Sequence, residues 1–307
     1  MKRTLLAVGL AILALFPARA EENCSRLMRV VSLDMLPATG NRVVVPAAIG
    51  DKPLRMMVDT GGYVTSFSED KAQELGLPID VRPGSRLVMF GGQTLRRFVT
   101  LKDFSLGRLK APRLDYPLLP PGFLGPEIDG LLAPDFLANF DIDFDFAGGK
   151  FNLFSNDHCD GKVGYWTDVP PEGIPLVREE DRVHISTHVA IDGKDVKALI
   201  DTGAPHSLMS LDVAEDLFDL KDSDPRFVSL ANGPNRTSGA RKFPFQKMSF
   251  GDVEVNHPDI VLVPDREAGM GSHRPKLIIG LSILRQIHLY IAYREKMLYI
   301  TPASTHK

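Results

Sequence analysis

The stretch Ala198-Leu199-Ile200-Asp201-Thr202-Gly203 decides how this chain is read, because its counterpart occurs earlier as Met56-Met57-Val58-Asp59-Thr60-Gly61. Each is a short apolar run that ends in Asp-Thr-Gly. On average residue usage that triplet arises by chance at roughly 2 in 10,000 positions. One copy in 307 residues would mean little; two copies, each closing a strand-like run, mean a good deal. Two carboxylates brought face to face cannot both ionise easily, so they share a proton, and one serves as base while the other serves as acid.

Working outward, residues 42–61 (RVVVPAAIGDKPLRMMVDTG) parallel residues 182–203 (RVHISTHVAIDGKDVKALIDTG). Both read as strand, glycine-containing turn, strand, then the triplet. Further on, Leu131-Leu132-Ala133-Pro134-Asp135-Phe136-Leu137 parallels Ile278-Ile279-Gly280-Leu281-Ser282-Ile283-Leu284 at an offset of 147, which persists into residues 140–144 against 287–291. The triplets themselves are 142 apart (201 − 59), so the second copy is five residues longer between its triplet and its late strand. That drift fits loop insertions within two copies of one unit.

Composition agrees. A hydrophobic fraction of 44% supplies real cores, and 26 Gly with 23 Pro favour a turn-rich, strand-rich chain. The best helical stretches are short and follow each triplet, at 68–77 and 211–218, while alternating runs predict strands at 140–146, 150–154 and 297–301. The fold class expected is all-β, with a few short helices. Residues 155–177, with their glycines, prolines and the single Trp166, have linker composition. Trp166 is expected to pack that linker onto a lobe. Residues 117–129 read as a second irregular stretch.

The N-terminus reads as a signal peptide over residues 1–20: Lys2 and Arg3, an apolar run at 5–16 that is short for a bilayer span, and Ala18-Arg19-Ala20 as cleavage signal. A short membrane anchor is the alternative, and its length counts against it. Cleavage would take three of the 36 basic residues and leave 33 against 39 acidic ones, a net charge of −6. No other segment is apolar enough to cross a membrane, so the expectation is an exported chain, periplasmic or secreted, with no stable span. There is no basic run, which argues against nucleic acid. In an exported chain the two cysteines, Cys24 and Cys159, permit one disulfide; two free thiols are the alternative. No metal site and no cofactor are expected. His184 and His188 are four apart, but in a strand-like run that spacing spans roughly 13 Å, so both read as ordinary strand residues.

The two triplets and the later apolar-apolar-Gly step at Ile278-Ile279-Gly280 carry a resemblance. The chain is similar to the pepsin/retropepsin-type aspartic peptidases, in the retroviral-like branch found in bacteria. The resemblance covers residues 42–155 and 182–302. It implies two β lobes about a pseudo-twofold axis with a cleft between them, and one aspartate from each lobe at the cleft floor, Asp59 and Asp201. It implies that Thr60 and Thr202 reach across the axis to the opposite lobe, and that Gly61 and Gly203 let the backbone approach the carboxylates without a Cβ. The expected division is residues 21–155 as the first lobe, 156–181 as linker and 182–307 as the second lobe.

The function implied is an aspartic endopeptidase acting as a monomer on peptide or protein substrate, with water activated between the carboxyls. A catalytically weak or inactive peptide-binding relative of the same fold is the alternative. Pepsin-like enzymes usually place a hydroxyl after the triplet, whereas this chain has Gly62 and Ala204. Its dyad should therefore be less depressed in pKa and active at mildly acidic pH. A substrate-covering hairpin is expected at Phe90, Gly91 and Gly92, with its counterpart at Asn232 and Gly233. One departure is Ala133 where the second copy has Gly280; the extra methyl costs little at negative φ and more at positive φ.

Overall fold

Each Asp-Thr-Gly run is the second arm of a β-hairpin. Val44–Ile49 pairs antiparallel with Lys52–Val58, and Ile185–Ile191 with Lys194–Ile200. The second hairpin turns at Asp192-Gly193, both with positive φ (45° and 81°), the turn chemistry that matches strand twist. The registers Val44↔Met57 and Ser186↔Leu199 keep the offset of 142 through both hairpins. The structural counterpart of Arg42 is therefore His184, not Arg182 as the sequence comparison of 42–61 with 182–203 had it. This computed structural model describes residues 24–89, 93–178, 184–221, 223–230, 239–264 and 276–303. The expected signal peptide lies outside them.

The late strand of each copy lies parallel to the triplet strand. Val58 is opposite Leu132, and Ile200 opposite Ile279. Strands Ser66–Ser68 and Ser207–Ser210 pair antiparallel with the other side of those late strands, Gly130–Leu132 and Leu277–Ile279. A helix follows immediately in both copies, Glu69–Glu74 and Leu211–Phe218, each N-capped by a serine whose hydroxyl accepts a backbone N–H: Ser68 from Lys71 and Ser210 from Val213. The first helix is shorter than the expected 68–77 because the chain leaves helical geometry at Gly76, with φ 63°. Two more short helices, Pro134–Leu137 and Leu281–Leu284, follow the late strands.

Three sheets result among the described residues. A seven-stranded sheet holds the first copy, and a ten-stranded sheet the second. The third has six strands in the order Arg29–Asp34, Lys150–Phe154, Asp141–Asp145, Ile287–Ala292, Met297–Pro302 and Glu172–Pro175. It joins the copies, because Asp143 lies opposite Tyr290 and Ile142 opposite Ile291. One core runs through both, from Leu54, Val58, Phe67 and Leu132 to Ile200, Met209, Ile279 and Leu289. The fold is thus the mostly β, two-lobed acid-protease type. The strand Leu109–Leu119 continues into the stretch expected to be irregular. Pro117 is tolerated there because pairing with Ser66–Ser68 begins only at Leu118, so no N–H is needed from residue 117 on that side.

The linker is pinned to the six-stranded sheet through buried polar groups. Trp166 stacks on His288 with ring centroids 4.4 Å apart and planes 5° from parallel. Asp143 accepts from His288 Nε2 (2.6 Å), the Tyr165 hydroxyl (2.8 Å) and Asn152 Nδ2 (2.8 Å). Alongside, His158 donates from Nε2 to Asp141 (2.6 Å) and from Nδ1 to the Cys159 carbonyl (3.0 Å). Burial raises the Asp141 carboxyl, with the His158 contact pulling the other way. Burial alone would lower His158, but its bonds to Cys159 and Asp141 outweigh that and raise it. Asp141, His158 and Glu295 bring ligand-type atoms within 4.8 Å of one another. Both ring nitrogens are engaged, Nδ1 by a carbonyl and Nε2 by a carboxyl. Cys159 is disulfide-bonded to Cys24, with Cα atoms 4.9 Å apart.

Candidate active site

Asp59 and Asp201 end their strands in matching geometry. The Asp59 N–H donates to the Leu132 carbonyl and the Asp201 N–H to the Ile279 carbonyl, both at 3.0 Å. The two threonines reach across between the copies. Thr60 Oγ1 donates to the Ile200 carbonyl (2.8 Å) and accepts from the Thr202 N–H (3.0 Å). Thr202 Oγ1 donates to the Val58 carbonyl (2.9 Å) and accepts from the Thr60 N–H (3.1 Å). Both threonines are fully buried. Each glycine sits against the opposite aspartate: a Cβ on Gly61 would lie 2.2 Å from Asp201 Cγ, and one on Gly203 would lie 2.3 Å from Asp59 Oδ1. No side chain fits at either position.

The two carboxyls are not equivalent. Asp201 Oδ1 accepts from the Gly203 N–H (2.8 Å) and the Ala204 N–H (3.1 Å), and Asp59 Oδ1 from the Gly61 N–H (3.1 Å). Burial raises Asp59 well above the usual carboxylate range, the neighbouring charge of Asp201 raises it further, and the Gly61 and Gly62 N–H groups oppose them only in part. Burial also raises Asp201, but the Gly203 and Ala204 N–H bonds, a hydrogen bond from Asp59 and the charge of His184 oppose it. Both residues keep partial solvent exposure. The desolvation is therefore that of a site enclosed by protein but reached by water from one side, not that of a dry core. As a pair they hold one proton over a widened pH range, with the charge favoured on Asp201.

Ala133 has φ −108° and ψ 175°, an extended conformation without strain. Its methyl group is accommodated by a reciprocal exchange. In the first copy residue 62 is glycine and residue 133 alanine, and a Cβ on Gly62 would fall 3.2 Å from the Ala133 Cβ and 2.9 Å from Asp59 Oδ2. In the second copy residue 204 is alanine and residue 280 glycine, and a Cβ on Gly280 would fall 2.4 Å from the His206 carbonyl oxygen and 2.6 Å from that of Ala204. Each copy thus carries one methyl, at opposite positions of the same contact.

The expected hairpin tips, Phe90, Gly91 and Gly92 and likewise Asn232 and Gly233, lie outside the described residues. Their bases are present. Val88 bridges Thr94 and the Met89 N–H donates to the Gln93 carbonyl (2.9 Å). Val228–Ser229 pairs with Arg241–Lys242. His184 departs from the sequence reading. It precedes the strand Ile185–Ile191, and its Nε2 donates to the Gly61 carbonyl at 2.7 Å, beside the aspartates. His188 is exposed and bonds Asp195 at 2.8 Å. Only the corrected register, which matches His184 to Arg42, could have flagged it from sequence.

These features define an aspartic-protease fold with two aspartates facing each other across a duplicated hairpin. The chain belongs to the aspartyl protease family, whose sequence model matches residues 45–136 and 187–283. The matched segments start 142 residues apart and end 147 apart, the two offsets of the internal repeat. The family is one of peptidase-type hydrolases, whose substrates are peptides. Comparison with curated proteins finds no match. Among solved structures, basic 7S globulin from soybean is similar at 12% identity, covering 92% of this chain and 96% of its own, with a TM-score of 0.49. Conglutin gamma, a basic 7S globulin from lupine seeds, is similar at 11% identity, covering 90% and 95%, with a TM-score of 0.48. No helix among the described residues is long and apolar enough to cross a membrane.

Proposed function

We propose that the chain is an exported aspartic endopeptidase, complete as a monomer, that hydrolyses peptide bonds with water activated between Asp59 and Asp201. The observation that carries this is the reciprocal Thr60–Thr202 contact, with each glycine set against the opposite carboxylate. It holds two carboxyls from separate repeats together, as a proton-sharing pair requires. In the proposed mechanism Asp201, the less strongly raised of the two carboxyls, is the base that takes a proton from water. Asp59 carries the proton and donates to the scissile carbonyl; the leaving amine is then protonated. The division proposed is residues 21–155 and 182–307 as lobes joined by 156–181, after a signal peptide at 1–20. The Cys24–Cys159 disulfide supports an oxidising compartment.

Because burial raises both carboxyls, the singly protonated pair persists to higher pH, and activity should peak at mildly acidic pH. The test is incubation of the chain lacking residues 1–20 with a mixed peptide library from acidic to neutral pH, with and without a statine-type inhibitor, beside Asp59→Asn. Inhibitor-sensitive cleavage absent from the variant is the result expected. Inhibitor binding without cleavage at any pH would replace the enzyme with a peptide-binding relative, and a peak below about pH 3 would overturn the account of the carboxyl pair.

A further inference from the structure

In a strict twofold arrangement the two carboxyls would be identical, and nothing would decide which one keeps the charge. The segments that enter each repeat break that equivalence. One reaches the loop after the other repeat's triplet, and the other reaches the last residue of the triplet itself. From the first, Asn41 Nδ2 donates to the Pro205 carbonyl (2.9 Å), its amide oxygen held by Arg285 Nε (2.7 Å). From the second, His184 Nε2 donates to the Gly61 carbonyl (2.7 Å). One strap is a neutral amide and the other an imidazole. Gly61 is the residue whose missing Cβ lets Asp201 approach, with only 2.2 Å between the would-be Cβ and Cγ. His184 therefore holds the turn that Asp201 packs against, and sits close enough for its charge to act on that carboxylate.

We propose that His184 is a positioning residue of the dyad, tying the Gly61 turn to the second repeat and keeping the negative charge on Asp201, so that the shared proton rests on Asp59. The proposal rests on reading Asp59 and Asp201 as a proton-sharing pair. The bond to Gly61 fixes a hydrogen on Nε2, since a carbonyl only accepts, so the ring's charge is set at Nδ1. A positive charge on the ring favours a nearby carboxylate in its charged form. The effect on Asp201 runs in that direction, against its burial. Among the described residues, ionisable groups beside the ring include Tyr63, with ring centroids 6.2 Å apart, and, through Asp201, Asp59. Glu179, Glu180, Asp181 and Arg182 precede it in sequence, outside the described residues.

Two variants separate the roles. His184→Gln keeps an N–H donor for Gly61 and loses the charge; His184→Ala loses both. In His184→Gln the acid limb of kcat/KM should move up by about half to one pH unit, a roughly three- to tenfold loss below the limb, with Tm close to that of the parent. His184→Ala should show the same shift with a lower plateau kcat. An unmoved limb in His184→Gln, or a uniform loss at every pH together with a lowered Tm, would leave a merely structural histidine and overturn the proposal. The carboxyl-carbon titration of Asp201, followed by NMR in the full chain and assigned with Asp201→Asn, needs no turnover. If the parent cleaves nothing, the peptidase reading falls, and this titration still decides: an upward move in His184→Gln supports the proposal and an unchanged curve refutes it.

Discussion

Replacing Thr202 by valine removes a hydroxyl and keeps the shape, so its cost can be worked bond by bond. Two contacts disappear, the 2.9 Å bond to the Val58 carbonyl and the 3.1 Å bond from the Thr60 N–H. The Thr202 N–H keeps its own bond to Thr60 Oγ1. Thr60 and Thr202 are fully buried, so neither orphaned backbone group reaches water without a rearrangement between the copies. A buried neutral group left without its partner costs about 1–3 kcal/mol, which puts Thr202→Val at about 2–6 kcal/mol. Thr60→Val should cost about the same, since it orphans the Ile200 carbonyl and the Thr202 N–H. The double variant should cost less than the sum, because the first opening already admits water to the second pair; a coupling of about 0.5–3 kcal/mol is expected. Thr202→Ser keeps the hydroxyl and should lose only about 1 kcal/mol for its methyl group. Urea unfolding of the four proteins, at constant m-value, measures all of these terms. A loss below about 0.5 kcal/mol in Thr202→Val, or an equal loss in Thr202→Ser, would refute the reasoning, because the crossing hydrogen bonds would then contribute nothing beyond packing.

The Cys24–Cys159 disulfide spans 135 residues, so its reduction should release about 5 kcal/mol of chain-closure stabilisation. Thermal unfolding with and without reductant reads this, and an unchanged Tm would contradict it. His158 is raised in the folded state, so its contribution is fully present below the ordinary imidazole value of about 6.5 and is lost as pH rises through the folded value. Stability should therefore fall with pH above that point in the parent, and subtracting the profile of His158→Gln should isolate the fall; parallel profiles would exclude His158 as its source. For the exchanged methyls, Gly280→Ala drives a Cβ to 2.4 Å from a backbone oxygen and should destabilise by about 2–3 kcal/mol, whereas Ala133→Gly should cost less than about 1.5 kcal/mol. Denaturant midpoints showing the two equally damaging would sink this account of the exchange.

Much of the fold could be read from the chain because duplication supplies its own control. The triplets, the late apolar strands and the helices after Ser68 and Ser210 recur at nearly fixed offsets, and two imperfect copies of a pattern constrain each other. What could not be read depends on contacts between residues far apart in sequence. Residues 140–146 alternate like a strand, but nothing local says that Asp141 and Asp143 are buried. Their partners are His158, 17 residues on, and His288, 145 residues on. The linker's glycines and prolines are visible in sequence, and so is the expectation that Trp166 packs it onto a lobe, but the partners are not: Tyr165 bonds Asp143, while Trp166 bonds Thr301 near the other end of the chain. His184 was missed for a related reason: aligning the copies on Arg42 and Arg182 hid a register that is constant through the hairpins.

The asymmetry of the site follows from having both repeats on one chain. A dimer of identical subunits must place the same residue on both sides of its axis, so any bias in where the shared proton sits has to come from substrate or from spontaneous distortion. Here the copies have diverged where they touch the aspartates. The residue after each triplet carries a methyl in one copy and none in the other: Ala204 beside Asp201, against a backbone that leaves no room for a Cβ on Gly280, and Gly62 beside Asp59, in space that the Ala133 methyl partly fills. Asn41 and His184 each donate to a backbone carbonyl of the other copy, from non-equivalent positions: Asn41 to Pro205 and His184 to Gly61. In the arrangement proposed above, the weaker raising of Asp201 and the charge of His184 favour a charged Asp201 and a protonated Asp59. The Thr60–Thr202 contact at the centre meanwhile stays symmetric, with each bond matching its mate to within about 0.1 Å. The geometry that holds the carboxyls together is conserved between the copies, and the electrostatics that tell them apart are not.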